Sequence, residues 1–316
     1  VSAATEGLGS RAALGVDPDR PEFGHATFDE SHLPPMRAPS DVTGLKAALE
    51  RRYVLKLLVQ REIKARYQRS VLGLLWSYIN PLSQFCIYFF IMGTIFALHK
   101  AIPNFAIHIF SAIVIVHFFT ETMGAGTRSI VRNAGIVKKM AMPREMFPVA
   151  TMLTSLYHVG PQVVILVVVS SLAGWRPDLY GVAAFALALL IIMILGIGIA
   201  LLLSAANVFF ADVGNAVSIV QNLLRFVVPM IYSYSQVQDR FGPVAPYYVW
   251  NPIADAVMLS QRAFWIGTID DGTDTSALLP DHLLLHGLGA VGISLVVLAA
   301  GQLVFSRLEN KIPERL

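Results

Sequence analysis

Three long stretches of this chain carry no charge: residues 74–98, 179–210 and 282–306 hold no Asp, Glu, Lys or Arg. Such runs leave few folds open. About 20 apolar residues in a helix cross the hydrocarbon of a bilayer. Lipid offers the backbone no hydrogen-bond partner, so a run of this length closes its own N–H and C=O groups as a helix. Six spans are expected, at residues 74–98, 105–124, 148–173, 180–206, 216–233 and 283–305. The chain is 55% hydrophobic and 14% charged, against about 25% charged in a soluble domain. The fold class is therefore an all-α membrane protein.

Charge gives the orientation. Short loops rich in Lys and Arg stay in the cytoplasm. One side would hold Lys46, Arg51, Arg52, Lys56, Arg61, Lys64, Arg66 and Arg69. It would also hold Arg128, Arg132, Lys138, Lys139 and Arg144, then Arg307, Lys311 and Arg315. The other side has Lys100, Arg176, Arg240 and Arg262, and an acidic loop at residues 234–282. The net charge of +3 conceals this separation. Both termini are expected in the cytoplasm of a multi-pass protein of the cell membrane.

Residues 1–44 read as a disordered cytosolic tail, acidic and proline-bearing without an apolar h-region. Residues 45–72 read as an amphipathic helix on the membrane surface. At about 100° per residue, Leu55, Leu58, Val59 and Ile63 share one face, and Gln60, Arg61, Lys64 and Gln68 lie opposite. Packing on a partner is the alternative for the same pattern. Arg66 and Arg69 end this helix, where they reach either anionic lipid or a phosphate-bearing substrate. Residues 73–316 form the membrane domain.

The loop after the second span mixes apolar Ile136, Val137, Met140 and Met142 with Lys138, Lys139, Arg144 and Glu145, around Pro143. Apolar residues inside a charged rim point to a docking surface. Before the last span, Tyr247, Tyr248, Trp250 and Asn251 lie in a proline-broken aromatic segment, read either as short helices dipping into the outer leaflet or as an interfacial belt. Tyr78, Phe85, Phe89 and Phe96 fall within about 20° of one line on a helix. They line a path, or they pack. Arg225 is the one charge in residues 213–238, and an arginine at that depth has to face water, a partner or an anion.

No GxxxxGK[ST], HExxH, CxxC or GxSxG occurs. Cys86 stands alone and reads as a packing residue. The histidines lack metal-ligand spacing. Catalytic and metal residues are therefore expected to be none, and a membrane enzyme is disfavoured. A chain of intramembrane acids is missing too, which disfavours a proton-coupled carrier.

The run Arg66-Tyr67-Gln68-Arg69-Ser70-Val71-Leu72-Gly73-Leu74-Leu75-Trp76-Ser77-Tyr78-Ile79-Asn80-Pro81 resembles the approach to the first span of ABC-2 type permeases. Lys138-Lys139 with Met142-Pro143-Arg144-Glu145, then residues 207–213, Pro229-Met230-Ile231-Tyr232 and Trp250-Asn251-Pro252, resemble later landmarks of that family in the same order. The likeness covers residues 45–312 and is nearest to the exporters of O-antigen, teichoic acid and capsule. With the tail, it is also similar to exporters of lipid-linked galactan. One departure is Ala211 before Asp212, where the family often has Arg; a role for that Arg does not carry over.

The resemblance implies a type V exporter fold working as a homodimer with two copies of an ATP-binding subunit. No cofactor is expected in this chain, with ATP and Mg in the partner. It implies a polyprenyl-diphosphate-linked polysaccharide as substrate, with the head group near Arg66 and Arg69. The channel would be lined by Tyr78, Phe85, Phe89, Phe96, Arg225 and Tyr232. The outer gate would hold Tyr247, Tyr248, Trp250 and Asn251. Contact with the ATPase would fall on Ile136, Val137, Lys138, Lys139, Met142, Pro143, Arg144 and Glu145. Nucleic acid has no place in this reading. Export of small amphiphiles by the same architecture is the rival.

Overall fold

The structure is a computed structural model that describes residues 44–68, 72–140, 142–269 and 278–316. The expected tail, apart from Gly44, lies outside the described residues, and so does Arg69. Every regular element among the described residues is helical. In chain order they are α1 (Leu45–Glu50), α2 (Arg52–Tyr67), α3 (Trp76–Tyr88), α4 (Phe105–Thr127), α5 (Ser129–Arg132) and α6 (Ala134–Val137). Then come α7 (Met146–Leu172), α8 (Leu179–Phe209), α9 (Val213–Val227), α10 (Tyr234–Phe241), α11 (Ala245–Tyr248), α12 (Pro252–Phe264), α13 (Leu283–Leu308) and α14 (Ile312–Arg315).

Four helices are long and apolar enough to cross a membrane, not six: Phe105–Thr127, Met146–Leu172, Leu179–Phe209 and Leu283–Arg315. The two that fall short have identifiable causes. A residue before proline is pushed out of the helical region. Val228 precedes Pro229 and sits at φ −100°, ψ 154°, so α9 stops at Val227 after 15 residues. In the first expected span, α3 gives way to a π-helix at Phe89–Ile95, and Ala97 then turns left-handed at φ 55°. The helical run is thus two pieces of different pitch.

The expected surface helix is also divided. Arg51 takes φ −87°, ψ 44° between α1 and α2. Leu55 and Leu58 of α2 are buried against an apolar cluster that includes Met146, Phe147 and Ala150 of α7. Leu55 and Leu58 thus pack on α7 of the same chain, while Leu57 and Tyr53 remain exposed.

The core sits around α4, which is buried along most of its length and packs on α7, α8, α9 and α12. The most extensive helix–helix contact is between α8 and α13. A Cβ added to Gly198 would lie 2.7 Å from the Leu298 Cα, and one on Gly301 would meet the Gly198 carbonyl. Small residues let membrane helices approach this closely and gain dispersion contact. The segment after Trp250 begins a capped helix. Asn251 caps α12 by accepting from the Ile253 N–H at 3.1 Å, with Pro252 at the first helical position. The helix then runs buried among α4, α8 and α13. Trp265, fully buried at its end, donates from Nε1 to the Pro103 carbonyl at 2.6 Å.

Candidate functional site

A cavity of about 510 Å³ opens where α2, α3, α4 and α9 meet. Its wall is polar. Arg66 and Tyr67 come from the end of α2, and Trp76, Asn80, Ser83 and Gln84 from α3. His117, Thr120 and Glu121 come from α4, and Gln221, Asn222 and Arg225 from α9. Asn80, Ser83, Gln84 and the α9 trio recur at three- and four-residue spacing, so each helix turns one polar stripe to the cavity.

A hydrogen-bonded chain forms one side. Arg66 is ion-paired with Glu121. Glu121 Oε1 lies 2.7 Å from His158 Nδ1, and Tyr67 Oη lies 2.9 Å from His158 Nε2. A neutral imidazole donates from one nitrogen and accepts at the other. Arg66 Nη1 also lies 2.6 Å from His158 Nδ1, so that nitrogen faces a donor and an acceptor at once; with the Tyr67 hydroxyl donating to Nε2, Nδ1–H donates to the carboxylate, and Arg66 is then answered by Glu121 alone. His158 is 1% exposed and Glu121 9%, whereas the Arg66 side chain is 41% exposed. The carboxylate is thus the fixed member of the pair and the guanidinium the movable one. Gln162 Nε2 extends the chain, at 3.1 Å from both His117 Nδ1 and the His158 carbonyl.

Arg225 lines the same cavity from α9. It is half-buried and makes no ion pair or hydrogen bond among the described residues. Its helix is fastened to α4 on the same side: Gln221 Nε2 donates to the Thr120 carbonyl, and Arg128 Nη2 to the Gly214 carbonyl at 3.3 Å. Two guanidiniums and one carboxylate leave the cavity a single net positive charge. Such a wall suits an anion with hydrogen-bonding substituents.

A second cavity of about 210 Å³ shares Arg66 and Glu121 with the first. Its other wall links α2 to the loop after α4. Arg132 is ion-paired with Glu62, Asn133 Nδ2 donates to Glu62 Oε1 at 3.1 Å, and Arg61 Nη1 donates to Asn133 Oδ1 at 3.0 Å. Helix α2 therefore grips the loop with one turn and the large cavity with the next.

The structure unites some expected site residues and separates others. Arg66 and Arg225 share one cavity. Phe85 and Phe89 stack at 5.6 Å, and Phe85 meets Phe110 of α4 edge-on at 5.4 Å, which is a packing arrangement. Tyr78 is half-buried and Phe96 exposed. Tyr232 and Tyr248 bond to each other and to the end of α9. Tyr247 and Trp250 are exposed, while Asn251 is used as a helix cap.

In the loop, Lys138 and Lys139 are exposed, Ile136 and Met142 half-buried, and Val137 and Pro143 buried. Glu145 corrects its expected place on a charged rim. It is fully buried and accepts from Gln302 Nε2 at 3.1 Å, because it sits at the head of α7 against α13. Arg144 likewise donates to the Glu309 carbonyl. Sequence reasoning gave no role to Tyr67, Glu121 or His158. Their signal was an acid and a histidine within otherwise apolar spans, each three or four residues from a further polar side chain.

The family described as ABC-2 type transporter matches residues 53–260. An O-antigen export system permease protein RfbA of Myxococcus xanthus is 27% identical over 265 residues, covering 84% of this chain and 96% of that protein. A Klebsiella pneumoniae protein of the same name is 27% identical over 217 residues, covering 69% of this chain and 82% of its own. The polysialic acid transport protein KpsM of Escherichia coli is 22% identical over 227 residues, with 71% and 86% covered.

Proposed function

The chain belongs to the ABC-2 type transporter family, and from that premise we propose that it is the membrane subunit of an ATP-driven exporter of a lipid-linked polysaccharide. Relatives named for O-antigen export and polysialic acid transport support the substrate class. The observation that carries the reading is the cavity shared by Arg66 and Arg225, with Arg225 free of any counter-ion among the described residues. An unopposed guanidinium at membrane depth is costly, by about 3 kcal/mol or more. A polyprenyl diphosphate supplies the missing charge at the right depth, with its prenyl chain in lipid and its glycan toward water.

Two copies would face each other across α3 and α9, and each would work with a separate ATP-binding subunit. The 13 residues of α3 reach about 20 Å at 1.5 Å per residue and the π-helix extends that crossing, while α9 with the chain to Ile231 would complete the sixth. Both termini then lie in the cytoplasm. ATP and Mg are held by the partner, whose movement reaches the cavity through the loop at residues 128–145 and α2. A bistable element biased by ATP is what converts such movement into transport. Reconstituted with its ATPase, the protein is expected to move a polyprenyl-diphosphate glycan across vesicles only with ATP. Equal movement without ATP, or transport of small amphiphiles alone, would overturn the reading.

A further inference from the structure

Any site of this kind faces competition. A bilayer presents phosphodiester head groups, each with one negative charge, in large excess over a carrier-lipid substrate. Two bare arginines in one cavity would be occupied by them. Here one arginine is already answered. Glu121 pairs with Arg66, is held by His158 at 2.7 Å, and His158 is held by Tyr67 at 2.9 Å. The second carboxylate oxygen, Oε2, is buried and has no hydrogen-bond partner among the described residues.

This arrangement reads as more than a structural ion pair. A pair that only stabilised the fold would bury both members or satisfy both oxygens. Instead the acid is held rigidly, and the base projects into a cavity large enough for a ligand. A singly charged head group entering the cavity finds Arg225 open and Arg66 taken. To reach Arg66 it must displace an anion of equal charge that cannot leave, and then sit beside it. Like charges brought side by side reject the wrong partner. A diphosphate brings two linked charges. One meets Arg225, and the linkage then presents the other to Arg66 at a high effective concentration.

On the reading that this cavity takes an anionic head group, we infer that Glu121, positioned by His158 and Tyr67, is a specificity-determining residue that keeps singly charged phospholipids off Arg66 and admits a diphosphate. The proposal needs no proton transfer, only a fixed carboxylate. Removing the charge should therefore open the cavity to ordinary lipid rather than abolish binding.

The test uses the full chain in phosphatidylcholine nanodiscs. An undecaprenyl diphosphate bearing one sugar, esterified at both phosphates, is the doubly charged probe and dioleoylphosphatidylglycerol the singly charged competitor, and retention is read by native mass spectrometry. Wild type is expected to prefer the diphosphate. Glu121→Gln is expected to lower that preference about tenfold, chiefly by raising retention of phosphatidylglycerol. Glu121→Asp, which keeps the charge, is expected to keep most of the preference. An unchanged preference in Glu121→Gln overturns the inference and leaves the cavity reading intact. A wild type with no preference overturns both. Inorganic pyrophosphate should displace the prenyl probe; failure to do so means that the cavity does not read the diphosphate. Should Glu121→Gln not assemble, Arg66→Gln decides. It should lose the diphosphate without gaining phosphatidylglycerol, and a gain of phosphatidylglycerol overturns the inference.

Discussion

The hydroxyls of Tyr232 and Tyr248 lie 3.0 Å apart and close the C-terminal end of α9, where Tyr232 donates to the Phe226 carbonyl at 3.0 Å and Tyr248 to the Val227 carbonyl at 2.6 Å. The last carbonyls of a helix lack intrahelical donors. Pro229 sharpens the shortage, because it brings no N–H of its own. Two tyrosines from beyond the helix thus supply what the break removed. Tyr248→Phe and Tyr232→Phe are each expected to cost about 1 kcal/mol. The double variant should cost less than their sum, since three contacts share two protons. Hydrogen exchange at the end of α9 should rise in each. Full additivity, or unchanged exchange there, would show that the pair does not act as one cap.

Arg225 allows a sharper test than its exposure alone. If it receives an anion, charge matters more than shape, and the planar fork adds a smaller part. Arg225→Lys should keep a measurable fraction of export, and Arg225→Gln should fall at least about tenfold lower, the effect of about 1.4 kcal/mol. Both should assemble, because no ion pair or hydrogen bond among the described residues is broken. Export by Arg225→Gln equal to wild type would exclude the role.

Glu145 and the lysines beside it separate two effects that look alike in a sequence. Glu145 is buried, faces Glu309, and accepts from Gln302. Glu145→Gln retains an acceptor and removes one of two neighbouring acids, so assembly and export should persist with a change in stability within about 1 kcal/mol. Lys138→Glu with Lys139→Glu alters only exposed charge. It should reduce capture of the ATPase subunit and ATP-dependent export while insertion stays normal. Normal ATPase capture by the double lysine variant would remove this surface from the coupling path.

The spans at α4, α7, α8 and α13 were legible because twenty or more apolar residues in lipid have one backbone solution. The two that fell short turn on local stereochemistry. Hydropathy passes over Pro229, whereas the dihedral preference of Val228 does not. Arg66 and Arg225 were legible as charges out of place. Their meeting was not, since α2 and α9 are brought together by tertiary packing on α4 and α7. Glu145 misled for a related reason. Beside Lys138, Lys139 and Arg144 it looked like part of a charged rim, but the first turn of α7 rotates it inward. Phe85 and Phe89 had two open readings, and the contact of Phe85 with Phe110 supports packing.

Coupling between the loop and the cavity rests on a short piece of α2. Arg61 and Glu62 bind Asn133 and Arg132 on the loop, and one turn later Arg66 and Tyr67 bind Glu121 and His158. A rigid helix gripped at both ends transmits a displacement at one to the other. Glu62→Arg places like charges together and removes one of the two acceptors of Asn133 Nδ2, leaving the Ser129 carbonyl. Export driven by ATP should fall about tenfold or more, while diphosphate binding at the cavity stays near wild type. Arg132→Glu alone should behave similarly. The combined Glu62→Arg, Arg132→Glu exchange restores the pair and should recover part of the export rate. A structural role alone would lower the melting temperature of all three in parallel with export. Recovery of stability in the exchange without recovery of export would show that α2 holds the loop but does not carry its motion.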